Sequence, residues 1–105
     1  MAAEQARYGI GQLVHHRLFD YRGVIFEVDP VYSGTEEWYQ QVARSRPPRD
    51  QPWYHVLPDG AEHTTYVAER NLEPDEAEEP IRHRLVSRLF GAFADGAYEP
   101  RRSVH

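Results

Sequence analysis

Tyr8 to Pro30 reads YGIGQLVHHRLFDYRGVIFEVDP, and its reading decides the fold. Leu13 to His16 make a short first run. Val24 to Asp29 then alternate, with Val24, Phe26 and Val28 on one face and Ile25, Glu27 and Asp29 on the other, the period of a strand. Between them, Phe19-Asp20-Tyr21-Arg22-Gly23 has turn chemistry, with Gly23 free to take the positive φ of a tight reversal. Pro30 has no N–H to give a ladder and ends the run. The stretch is predicted to be an antiparallel hairpin opened by Gly9 and Gly11.

Downstream, a second hairpin is expected. Trp53 to Leu57 (WYHVL) is rich in aromatic and β-branched residues, Pro58-Asp59-Gly60 supplies a turn, and Thr64 to Ala68 pair back, ending near Asn71-Leu72 in a short helical turn. Between the hairpins, Ser33 and Glu36 fit a capping box for a helix from Thr35 to Ala43. Arg44 to Pro52 (RSRPPRDQP) holds three prolines and three arginines and is expected to be an extended, exposed, mobile loop. Four strands with a helical insertion point to a small antiparallel β-barrel, with its core at about residues 8–73. The segment 73–80 (EPDEAEEP) is expected to be a solvated acidic linker. Ile81, Leu85, Leu89, Ala92 and Phe93 then recur at helical spacing, which predicts a C-terminal amphipathic helix over about 81–94 with a frayed end from Asp95.

A chain of 105 residues is expected to form a single domain. Its absence of cysteine excludes disulfides, thiolate metal sites and thiol nucleophiles. All 12 basic residues are arginine, so Schiff-base chemistry and a phosphate-loop lysine are excluded as well. No apolar run approaches a membrane span and the start lacks a signal-peptide pattern, so a cytoplasmic protein without membrane association is expected. Formal charge is −5 and uneven: residues 61–80 carry 1 Arg against 7 acids, and residues 81–105 carry 5 Arg against 2 acids. Sequence-independent DNA binding draws on phosphate neutralisation, so this balance favours basic protein partners.

The six histidines do not make a metal site by spacing. His15 and His16 are adjacent on a strand and project to opposite faces, and only His55 and His63 could meet across a hairpin. The serines sit in no nucleophile-elbow pattern, and the paired acids lie on solvated segments where nothing separates their pKa values. We expect no catalytic residues, no metal and no cofactor.

The order YGIGQLVHHRLFDYRGVIFEVDPVY, TEEWYQ, QPWYHVL and TTYVAERNL resembles the heat shock protein HspQ family, the YccV-like group also described as hemimethylated-DNA-binding. The resemblance implies an SH3-like barrel without enzymatic activity. It also implies two roles: promoting turnover of denatured or unstable proteins, the replication initiator among them, by an ATP-dependent protease, and binding hemimethylated DNA at the replication origin. Self-association, with a trimer as the expected state, comes with it. By residue chemistry, a DNA face would use His16, Arg17, Arg22, Arg44, Arg46 and Arg49. A protease or basic client would meet Glu73, Asp75, Glu76, Glu78 and Glu79.

Overall fold

In the computed structural model, which describes residues 6–43 and 45–101, Leu13–His16 (β1) and Arg22–Asp29 (β2) pair antiparallel, Leu13 opposite Val24 and His15 opposite Arg22. The hairpin stands as the alternation predicts, but its turn is made by another residue. Asp20 takes the positive φ, at 56°, and Gly23 does not; a short polar side chain tolerates that conformation. Gly23 lies inside β2, where a Cβ would fall 2.6 Å from the Leu57 carbonyl oxygen. Its value is close approach of the neighbouring strand, Trp53–Pro58 (β3).

The alternation of β2 also breaks. A bulge between Ile25 and Glu27 shifts its register against β3, so Val28 packs on the same side as Ile25 while Val24 and Phe26 pack on the other; Val24 and Ile25 are both fully buried because both faces of the sheet are covered. Bulges bend a strand and sharpen its twist. From β3 the chain reverses at Pro58-Asp59-Gly60 into Thr65–Ala68 (β4), and one 3-10 turn over Glu69–Asn71 follows. The helical insertion, Glu36–Val42 (α1), is capped by the Thr35 hydroxyl, which accepts from the Trp38 N–H at 3.0 Å. Ser33, the expected cap, instead donates its hydroxyl to the Val31 carbonyl.

Two expectations fail beyond residue 72. Leu72–Pro74 (β5) pairs with β1, Val14 opposite Pro74 and His16 opposite Leu72, so the first residues of the acidic segment are a sheet edge. Proline is tolerated there because its missing N–H interrupts no inner ladder. The strand order is β4-β3-β2-β1-β5. Both β4 and β5 are edges, and the ladder does not close into a barrel.

The C-terminal amphipathic helix over 81–94 is absent. Only Val86–Leu89 (α2) is helical, followed by Phe90–Ala94 (β6) and Ala97–Pro100 (β7), paired as a separate hairpin. Asp95 and Gly96 have φ of 54° and 77°, the two positive values that a type I′ hairpin turn needs. The Asp-Gly pair at 95–96 was therefore the stronger local signal, and Gly91 withdraws support from a helix just where the stripe would need it.

The apolar spacing still bought burial, in another geometry. Ile81, Phe90 and Tyr98 cover one sheet face against Leu13, Val24 and Leu57. On the other face Tyr8, Val14, Ile25, Tyr54, Val56, Val67 and Leu72 form a second cluster. Tyr39 and Ala43 of the helical insertion close on Trp53 and Ala68.

Candidate interaction surface

His16 was expected at a DNA face, and it is buried at 4% exposure. Its Nδ1 accepts from the backbone N–H groups of Leu18 and Phe19, at 3.1 and 3.0 Å, and its ring stacks on Phe19 at 4.6 Å. It braces the β1–β2 turn and presents Leu18 and Phe19 outward. Burial, and then the neighbouring His15, push its pKa down, so the ring is neutral at physiological pH.

His15 takes the opposite environment. Its Nδ1 meets Glu73 at 2.8 Å and its Nε2 meets Asp20 at 2.7 Å, and those hydrogen bonds, Asp20 first, hold its pKa above 6.5. The two adjacent histidines should therefore titrate in opposite senses. The folded value of His15 is raised, so its contribution is complete below about pH 6.5 and is lost as pH rises through the raised folded value. His16 is depressed, so its contribution is complete above about pH 6.5 and is lost as pH falls through its folded value. An NMR titration of the imidazole signals checks this, with His15→Gln as the assignment control. Two superimposable curves at the ordinary histidine value would contradict it.

The arginines expected to face DNA are mostly committed within the chain. Arg22 is only 22% exposed in its side chain. Its Nε and Nη2 donate to Asp75 Oδ2 at 3.0 and 2.9 Å, and Asp59 lies at 3.7 Å. Asp75 above all holds the guanidinium pKa higher than its ordinary value. Arg49 pairs with Glu36 through both terminal nitrogens and lies 3.8 Å from the ring centroid of Tyr39, a cation–π contact. Arg46 donates to Gln40 at 2.6 Å. Arg17 is exposed, and among the described residues its side chain makes one long bond, 3.3 Å, to the Arg70 carbonyl. Arg44 lies outside the described residues.

The Arg- and Pro-rich segment is not the free loop expected from its composition. Tyr39 Oη donates to the Pro47 carbonyl at 2.7 Å, Trp53 Nε1 to the Pro48 carbonyl at 3.0 Å, and Tyr32 N–H to the Arg49 carbonyl at 2.9 Å. Pro47 and Pro52 are buried. Two aromatic side chains and one main-chain bond tie it down, which composition alone could not reveal.

Of the acidic residues, Asp75 is 8% exposed in its side chain and bound to Arg22, and Glu73 is bound to His15. Neither is a free partner contact. Glu76, Glu78 and Glu79 remain exposed. His55 and His63, the one pair that spacing allowed to meet across a hairpin, have other partners. His55 stands opposite Tyr66 and bonds Asp29 Oδ2 at 3.0 Å, while the His63 carbonyl accepts from His83 Nε2. Glu27, Asp29 and His55 bring three potential ligand atoms within 4.8 Å of one another. Asp29 also accepts from the Tyr66 hydroxyl at 2.6 Å, so the pairing of that group is explained without a cation. Among the described residues no buried side-chain nitrogen or oxygen lacks a hydrogen-bond partner.

The feature that sequence reasoning missed is apolar. A groove of about 690 Å³ lies between the β1–β2 turn, the helical insertion and β4. Leu18 and Phe19 wall one side and Trp38 and Val42 another. Leu18, Phe19 and Val42 are 57%, 71% and 52% exposed, although a soluble surface normally scatters such side chains singly. Trp53 and Tyr66 contribute to its lining, but Trp53 is 1% exposed and belongs mainly to the core. Leu18-Phe19 beside a turn was the available sequence signal; their convergence with Val42 depends on tertiary packing.

Fold and surface together define a small, mainly β protein with an apolar groove and a partly neutralised charge pattern. The family model for YccV-like hemimethylated DNA-binding proteins matches residues 6–97, and the chain belongs to that family. Among the described residues no helix is long and apolar enough to cross a membrane.

Proposed function

We propose that the protein is a non-enzymatic, stress-linked accessory factor that binds denatured or unstable proteins and promotes their degradation by an ATP-dependent protease. The observation that carries this reading is the groove beside exposed Leu18, Phe19 and Val42. Denatured chains differ from folded ones chiefly in the apolar surface they expose, and an apolar groove selects for that difference. Exposed Glu76, Glu78 and Glu79 would add attraction for basic clients or a basic patch on the protease. An SH3-like curl of the sheet, with the Ile25/Glu27 bulge as its support, belongs to the same reading. So does self-association as a trimer, which sedimentation equilibrium measures.

A second reading is favoured by the family's description: binding of hemimethylated DNA. Arg17 is the best-placed cation for it, and Arg46 and Arg49 would have to leave Gln40 and Glu36 to reach phosphates.

Parallel anisotropy titrations separate the two, using reduced, carboxymethylated lactalbumin as a permanently unfolded client and a duplex in hemimethylated and fully methylated forms. The expected result is client binding that persists as salt rises and survives Arg17→Ala. Failure to bind the client, together with salt-steep binding that prefers the hemimethylated duplex, would replace the first reading with the second.

A further inference from the structure

β4 is an edge strand that lines the groove; Thr64 before it is exposed, Thr65 and Tyr66 are half-buried, and Val67 and Ala68 are buried. The Glu69 N–H donates to the Pro52 carbonyl at 3.1 Å, one step beyond the Ala68–Trp53 pair of the ladder. In an antiparallel pair the hydrogen-bonded positions alternate. Thr65 and Val67 therefore turn their main-chain groups toward β3, and Tyr66 and Ala68 turn theirs away. The N–H groups of Tyr66 and Ala68 and the carbonyl of Tyr66 have no hydrogen-bond partner among the described residues.

Natural edges are usually blunted by charge, proline or a bulge. The sequence Thr64-Thr65-Tyr66-Val67-Ala68 has none of these, and every one of its residues lines the groove. The walls stand ready to receive side chains from a strand added at this edge. His16 pins the Leu18-Phe19 turn through two backbone bonds, and Trp38 and Val42 sit four residues apart on one side of α1.

One kind of occupant fits poorly. A nucleic-acid backbone needs cations, and among the described residues no Arg lines the groove. A free strand edge requires an extended backbone, and apolar walls require apolar side chains.

We propose that the outer edge of β4 takes an extended apolar segment of a non-native protein as an added antiparallel or parallel strand, with alternate side chains entering the groove. This rests on the client-binding reading and specifies its geometry. Main-chain pairing makes the site tolerant of sequence, since backbone bonds give affinity and only alternate side chains are read. Basic residues flanking the apolar segment suit the acidic chain.

The test uses a fluorescein-labelled nonapeptide in which Val, Leu and Phe alternate with Thr between terminal lysines. Two twins carry N-methyl groups on alternate backbone amides, one in each phase. The full chain is expected to bind the parent peptide, to lose at least tenfold affinity for one twin, and to keep its affinity for the other. Phe19→Ser, at an exposed position, is expected to weaken the parent peptide several-fold with an unchanged melting temperature.

Equal binding of the parent and both twins would overturn strand addition and leave the client reading intact. If neither peptide nor carboxymethylated lactalbumin binds, both fall. An oligomer that the peptide dissociates and that Phe19→Ser abolishes would also overturn the proposal, assigning the groove to a second copy.

Discussion

Replacing Gly11 by alanine is expected to destabilise the protein by about 3 kcal/mol or more, whereas Gly9→Ala should stay within about 0.5 kcal/mol. Both glycines open the first hairpin, yet only one is constrained. Gly11 has φ of 92°, and a Cβ there would fall 2.0 Å from the Tyr98 carbonyl oxygen. Side-chain motion cannot relieve that contact, because the obstructing atom is backbone. Gly11 also donates to the Ile25 carbonyl at 2.8 Å, and its own carbonyl accepts from the Tyr98 N–H at 2.8 Å. It thereby staples the β6–β7 hairpin to the sheet. Nothing lies within 4 Å of a Cβ added at Gly9. Thermal unfolding measures the difference, and hydrogen exchange at Tyr98 should show the hairpin loosening first in Gly11→Ala. Equal effects of the two substitutions would contradict the staple.

Separating Arg22 from Asp75 should have the second largest effect. Removing one partner of an ion pair withdrawn from solvent strands the other, and a fully buried pair loses about 3–5 kcal/mol in that way. Here the guanidinium keeps 22% exposure and has Asp59 nearby, so about 2 kcal/mol is the expected loss for Asp75→Asn or Arg22→Ala. The double substitution should cost less than the sum, with a coupling of about 1–2 kcal/mol by chemical denaturation. Strict additivity would show that the pair is not coupled. The consequence for function is direct: weaker binding by Arg22→Ala reports damage to the fold before it reports a lost contact, so Arg17→Ala is the cleaner probe of a DNA face.

Much of the fold was legible where period and turn chemistry agreed. The first hairpin, the WYHVL strand, its Pro58-Asp59-Gly60 reversal and the helical insertion all stand close to their expected places. Legibility ended where one local signal opposed another. Ile81, Leu85 and Leu89 have helical spacing, but the Asp95-Gly96 turn and Gly91 favoured a hairpin, and the apolar residues reached the core from strands. Glu73 and Pro74 looked solvated because composition does not reveal that β1 has a vacant edge beside them.

The charged site was less legible than the fold. Arg22 and Asp75 were assigned to different partners by type, and they are each other's partner. Arg49 and Glu36 repeat the lesson across 13 residues of chain. Charge counts describe what a chain carries, and tertiary pairing decides what remains to be offered. After that pairing, Arg17, Glu76, Glu78 and Glu79 are the least engaged of the charged residues singled out from the sequence, and the groove joins them as a feature of the surface.

The most direct measurement is an amide NMR map of the labelled protein titrated with reduced, carboxymethylated lactalbumin. The expected perturbations cover Leu18, Phe19, Val42 and Thr64 to Ala68, with Arg46, Arg49 and Glu76 to Glu79 moving little. Shifts confined to those arginines or that acidic strip, with the groove silent, would contradict the assignment of function to the apolar face.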